Sequence, residues 1–173
     1  MNNLTLKVIL TCLVLAGAIC SCREGLGGSS PQASLDCSFS SAEALTEEFL
    51  KDLKAGDLET LELIAVDREE FERLFWPHLP ASRPGTNLTP DFVWEQSQIR
   101  SLSSLRSTVS RYRDRDIRLN RIELSGEVRD YGEVRLFMEP EVVVSVEGTE
   151  RKTRLFGPIM LLDGEYKIYC YSL

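Results

Sequence analysis

Apolar residues recur along this chain with two periods, helical in the first two thirds and alternating afterwards. Ser40 followed three residues later by Glu43 forms a capping box. Beyond it Leu45, Phe49 and Leu53 return every fourth residue, with Ala42 and Leu50 on neighbouring rows. The stripe predicts a helix running to about Ala55 and stopped by Gly56. Asp57 caps a second, short helix through Leu58, Leu61 and Ile64. Asp67 with Glu70 caps a third that carries Phe71, Leu74 and Phe75 and ends before Pro77. Residues 77–85, with three prolines and a glycine, read as a loop. Thr89 and Pro90 then open the longest helix, in which Phe92, Ile99, Leu102, Leu105, Val109 and Tyr112 keep helical spacing.

From Ile117 the pattern turns to β. Segments 117–124, 134–138, 142–146, 153–162 and 166–171 are rich in β-branched and aromatic residues, with short turns between them. Asp163-Gly164 suits a two-residue type I′ hairpin. Helices first and a meander afterwards predict an α+β domain. The expectation is a long helix packed on one curved antiparallel sheet of four or five strands, which curls around it.

The N-terminus has a different character. Lys7 precedes an apolar run over 8–19, too short for the roughly 20 residues of a membrane-spanning helix. Ile19-Cys20-Ser21-Cys22 closes that run and resembles the lipobox of bacterial lipoproteins. The resemblance implies a signal peptide over 1–21, removed before Cys22. It further implies a thioether-linked diacylglycerol on that thiol, often joined by an amide-linked third chain. Two or more acyl chains anchor stably. Cys20 and Cys12 fit the motif less well, because Gly17 and Thr11 occupy restricted positions. The plainer alternative is an ordinary secretory leader cut nearby. Arg23, directly after the Cys, tilts the expectation towards the outer membrane. Residues 22–36, rich in Gly, Ser and Pro, then form the lipidated start and a flexible tether, and 37–173 a single domain.

Size and charge narrow the picture further. Beyond Cys22 lie 151 residues of the 173, enough for one domain with a real core. With Lys7 gone, 19 basic residues face 27 acids, a net charge of −8. That balance excludes generic nucleic-acid binding, which needs a basic footprint. Residues 43–72 hold eleven acids, whereas 100–121 hold seven arginines. Solvated outer faces account for both runs; the sharper alternative is an Arg stripe that meets anionic lipid or an acidic partner. Cys37 and Cys170 remain after the leader is removed. In an oxidising compartment they form a natural disulfide pair that would staple the two ends of the domain, with two separate buried thiols as the alternative.

The opening helix ending in Lys54-Ala55-Gly56-Asp57, with the short helix after it, resembles the start of nuclear transport factor 2-like (SnoaL-like) domains. The closing Phe156-Gly157-Pro158-Ile159 and Asp163-Gly164-Glu165-Tyr166-Lys167-Ile168 resemble that family's last two strands. The resemblance implies a cone-shaped sheet with an internal pocket. The family usually places one or two strands before its long helix, and none is visible here, so a cystatin-like helix on a sheet stays open.

Candidate chemistry is sparse. His78 is the sole histidine and lies beside Trp76 in the Pro-rich loop, where it either lines a pocket mouth or is a plain polar loop residue. One His without a nearby Cys partner makes no metal site, and no Gly-rich phosphate loop or Gly-x-Ser-x-Gly is present. No catalytic residue and no cofactor is assigned. Trp76 and Trp94 with His78 are the candidate pocket, and ordinary core packing is the alternative for the tryptophans. The sequence therefore points to a membrane-anchored envelope lipoprotein that binds a small apolar ligand or an envelope protein. A SnoaL-like hydrolase or isomerase and an Arg-helix scaffold are the rivals.

Overall fold

A computed structural model describes residues 35–172. The leader, Cys22 and most of the tether lie outside the described residues. Four α-helices, with one π-helical and two 3-10 turns between the third and fourth, come first among the described residues. Helix α1 (Ala42–Ala55) starts at Ser41, one residue after the Ser40 expected to cap it with Glu43; the Ser41 side chain accepts from the Ala44 amide, and the helix ends at Gly56 in the left-handed conformation. Helix α2 (Leu58–Leu63) is capped by Asp57. The short α3 (Arg68–Glu70) has a full capping box between Asp67 and Glu70 and widens into a π-helical turn, Phe71–Phe75. Two 3-10 turns carry the chain through Trp76–His78 and Pro80–Ser82 to α4 (Pro90–Tyr112), capped by Thr89.

Seven strands follow, in two antiparallel sheets instead of one. The first sheet has the order β1-β4-β5, from β1 (Ile117–Glu123), β4 (Glu141–Val146) and β5 (Thr149–Thr153). The second runs β2-β3-β6-β7, from β2 (Val128–Tyr131), β3 (Val134–Phe137), β6 (Ile159–Leu162) and β7 (Glu165–Ile168). No closed barrel forms among the described residues. The segment expected as one strand over 153–162 is divided: Leu155 to Pro158 are buried and carry the chain from one sheet to the other. Polar β2 and β5 lack the apolar content that marked the other strands, so they were not foreseen.

The helix on the sheets is α1, not the long α4, which corrects the sequence expectation. Leu45, Phe49 and Leu53 of α1 meet Val142, Val144, Ile159 and Ile168 in a first core that draws on both sheets. A second core fills the opposite face of the β6-β7 sheet with Phe71, Phe75, Leu136, Met160 and Leu162. Helix α4 spans both: Leu105 and Val109 enter the first, while Trp94 packs against the second. Its expected apolar stripe is only partly inward, because Phe92 and Ile99 face solvent. The outer edge of β7 is covered by Phe39 on an antiparallel bridge with Tyr166 and by Ala65 on a parallel one with Ile168. That cover removes an open edge on which another strand would otherwise pair.

Candidate functional site

A partly enclosed cleft lies where α4 crosses the link between α2 and α3. Ala65, Val66 and Asp67 form one wall and Trp94, Gln98, Ser101 and Leu102 of α4 the other, with Tyr171 beside them. The cleft holds about 160 Å³. The C-terminal segment after Ile168 is tied to the helix here, since the Tyr171 amide donates to Ser101 Oγ at 2.9 Å. The Tyr171 hydroxyl donates to the Leu61 carbonyl, and burial pushes its pKa far up, so it stays a neutral donor. Arg68 bridges Glu72 on its own segment and Asp91 at the start of α4. Phe71 packs against Trp94 with ring centroids 5.3 Å apart and ring planes tilted by 38°, which holds the indole as a wall.

Next to this cleft lies the strongest polar feature of the interior. The Lys167 ammonium reaches both Glu70 carboxylate oxygens, at 3.0 and 2.8 Å, and the two side chains are 1% and 4% exposed. The Glu70 carboxylate also accepts the backbone amides of Asp67 and Asp36, at 3.0 and 3.2 Å. One carboxylate thus finishes the α3 cap, pins the incoming chain at Asp36 and neutralises a buried cation. Sequence reasoning found only the cap. The missing signal is alternation: Lys167 pairs across from Met160, and Met160 from Leu136, so all three share the face of the second core.

Asp52 was not foreseen either. It is 6% exposed on α1, and its Oδ2 has no hydrogen-bond partner among the described residues. Burial, with Glu48 nearby, holds its carboxyl above the ordinary range.

The candidate pocket of Trp76, His78 and Trp94 is not brought together in one cleft. Only Trp94 lines the concavity. Trp76 is half-buried against the second core. His78 is exposed, and its ring lies across Gly132 at the β2–β3 turn, where an added Cβ would come within 2.8 Å of Nε2. A second, more open cleft of about 330 Å³ has Glu47, Lys51, Lys54 and Arg118 on its rim. Among the described residues no group of three or more His, Cys, Asp or Glu is placed to hold a metal. Ser101 Oγ accepts a backbone amide, and among the described residues no imidazole lines its cleft.

Cys37 and Cys170 are both half-buried and are not joined to each other in the structure. Cys170 Sγ lies 3.9 Å from the Ser172 carbonyl oxygen, and burial pushes its thiol pKa up. That environment suits an unreactive thiol more than a nucleophile. Cys37 sits just before Phe39, which pairs with β7, and Cys170 just after β7. No helix among the described residues is long and apolar enough to cross a membrane. Compared with known proteins, the chain has no match: no family model, no curated protein and no solved structure corresponds to it.

Proposed function

We propose that this chain is a lipid-anchored domain of a bacterial envelope that binds another protein and carries no catalysis of its own. Support for the anchor comes from the leader, the lipobox-like sequence ending in Cys22 and the Gly/Ser-rich tether. Support for protein binding comes from the filled interior, and that observation carries the reading. Both cores are closed by large side chains, and the Trp94 cleft, at about 160 Å³, is smaller than the roughly 300–1,000 Å³ of small-molecule sites. A cleft of that size takes one side chain of a partner. The wider cleft has a charged rim that an apolar ligand would avoid. Binding of an envelope protein is therefore preferred over a small apolar ligand.

A second reading, a pocket enzyme of the SnoaL-like type, is favoured by Asp52, a buried carboxylate with a raised pKa. Against it, Asp52 lines neither cleft, so no substrate reaches it by those routes. The α1–α2 order and the closing β6–β7 hairpin support kinship with nuclear transport factor 2-like domains, while the division into two sheets speaks for a departure from their cone.

A photo-cross-linking residue at Gln98, in the full-length chain in its own envelope, tests the reading. The expected result is a discrete protein adduct that Trp94→Ala removes. Saturable binding of an apolar fluorescent probe by the purified chain, with no adduct, would overturn it in favour of a small ligand.

A further inference from the structure

Helix α4 presents a long face that the other described residues leave uncovered. Phe92, Glu95, Ile99, Ser103, Arg106 and Ser110 follow one another at intervals of three or four residues, and all six are exposed. Phe92 is 51% and Ile99 65% exposed, unusually high for large apolar side chains on an ordered helix.

Two properties of the helix, its charge and its bulk, are organised about Ile99. The acids of the helix, Asp91 and Glu95, lie before it, and the bases, Arg100, Arg106 and Arg111, all lie after it. Glu95, Arg100, Arg106 and Arg111 make no ion pair among the described residues. The bulky Phe92 lies on one side of Ile99, and the small Ser103 and Ser110 on the other.

We infer that two copies of this chain pair antiparallel through α4, with the two-fold axis at Ile99. In that arrangement Ile99 packs on its counterpart. Each Phe92 falls among Ser103, Arg106 and Ser110 of the other copy, and its ring takes the Arg106 stem and guanidinium. Each Glu95 comes within one helical turn of the other copy's Arg106. A parallel pair would instead stack like charges at every level. Such self-complementarity about one residue is what an isologous interface requires. A helix of 23 residues is about 34 Å long, so the contact is narrow and the affinity modest. Confinement of anchored copies to one membrane would raise their effective concentration, but the pairing itself does not depend on the anchor.

Light scattering on the full-length chain in mild detergent, up to about 100 μM, tests the inference, with far-UV circular dichroism to confirm folding. The unaltered chain is expected to approach the mass of two copies as concentration rises, and Ile99→Glu to weaken association at least tenfold. Glu95→Arg and Arg106→Glu should each weaken it as strongly, since one places Arg against Arg and the other Glu against Glu. Mixing these two variants should restore a dimer containing one copy of each. A monomeric unaltered chain throughout the range overturns the inference. So do single charge variants that fail to rescue each other, even if Arg106→Glu has lost and Glu95→Arg has gained binding to anionic phosphatidylglycerol vesicles; that result would assign the arginines to lipid.

Discussion

Lys167 enters the second core because alternation in β7 leaves it no other face: its neighbour Ile168 already occupies the first core. Glu70 makes that burial tolerable by supplying both carboxylate oxygens at hydrogen-bond distance. Removing one partner strands the other charge in an apolar layer. Glu70→Ala is therefore expected to cost about 3–5 kcal/mol in urea unfolding, while Glu70→Gln combined with Lys167→Met recovers most of the loss. A Glu70→Ala cost below about 1 kcal/mol would show that the ammonium finds water. Asp52 presents the opposite case, a buried carboxylate lacking a partner for one oxygen. Its folded-state pKa is raised above the ordinary 3.8, so the folded chain holds the proton more tightly than the unfolded chain. Stability then falls as pH rises from about 3.8 through the raised value, and the penalty is fully present at neutral pH. Asp52→Asn should gain on the order of 1 kcal/mol at pH 7 and nothing at pH 3. A loss at pH 7 would mean the carboxylate has a partner it needs.

At the level of elements, helix starts were legible and helix roles were not. Asp57, Asp67 and Thr89 all cap as their sequences imply, because a cap is a local hydrogen bond that three or four residues specify. Which helix lies on the sheet depends on contacts distant in sequence, and length misled: α1, at 14 residues, takes the place expected of α4. The apolar spacing of α4 mixed two faces, one reaching the cores through Leu105 and Val109 and one carrying Phe92 and Ile99 outward. A single-chain reading counts both as core. The candidate pocket residues are distributed for a similar reason: Trp76 and Trp94 both pack against the second core, but of Trp76, His78 and Trp94 only Trp94 lines the cleft. The crossing between the sheets was hidden too, although Gly157 marks it. Its amide donates to the Cys170 carbonyl at 3.0 Å, and an added Cβ would lie well inside contact distance of the Cys170 and Ser172 carbonyl oxygens. Both obstacles are backbone, so neither can swing away. Gly157→Ala should lower Tm by roughly 4–10 °C. An unchanged Tm would place the C-terminal residues elsewhere.

For the molecule as a whole, the two ends of the described chain meet at β7, and that meeting links compartment to stability. Leu35 is buried in the second core, Asp36 donates to Glu70, and Phe39 pairs with Tyr166, so the segment that leaves the tether is held from its first described residues. Any pull from a membrane anchor is thereby delivered to the edge of β7. If Cys22 is acylated as proposed, Cys22→Ala should move the protein from the membrane pellet to the soluble fraction, and mass spectrometry of the native form should find acyl groups on that residue. The same proposed location would expose Cys37 and Cys170 to an oxidising medium. They flank β7, one before Phe39 and the other after Ile168, and a bridge needs their Cα atoms to approach within about 7 Å. Peptide mapping of the native protein without reductant should recover the Cys37–Cys170 cross-link, and reductant should lower stability by up to about 5 kcal/mol, because the bridge closes nearly the whole domain into one loop. Two unmodified thiols in the native protein would defeat the bridge and leave the Glu70–Lys167 pair as the tie between the incoming chain and the last strand.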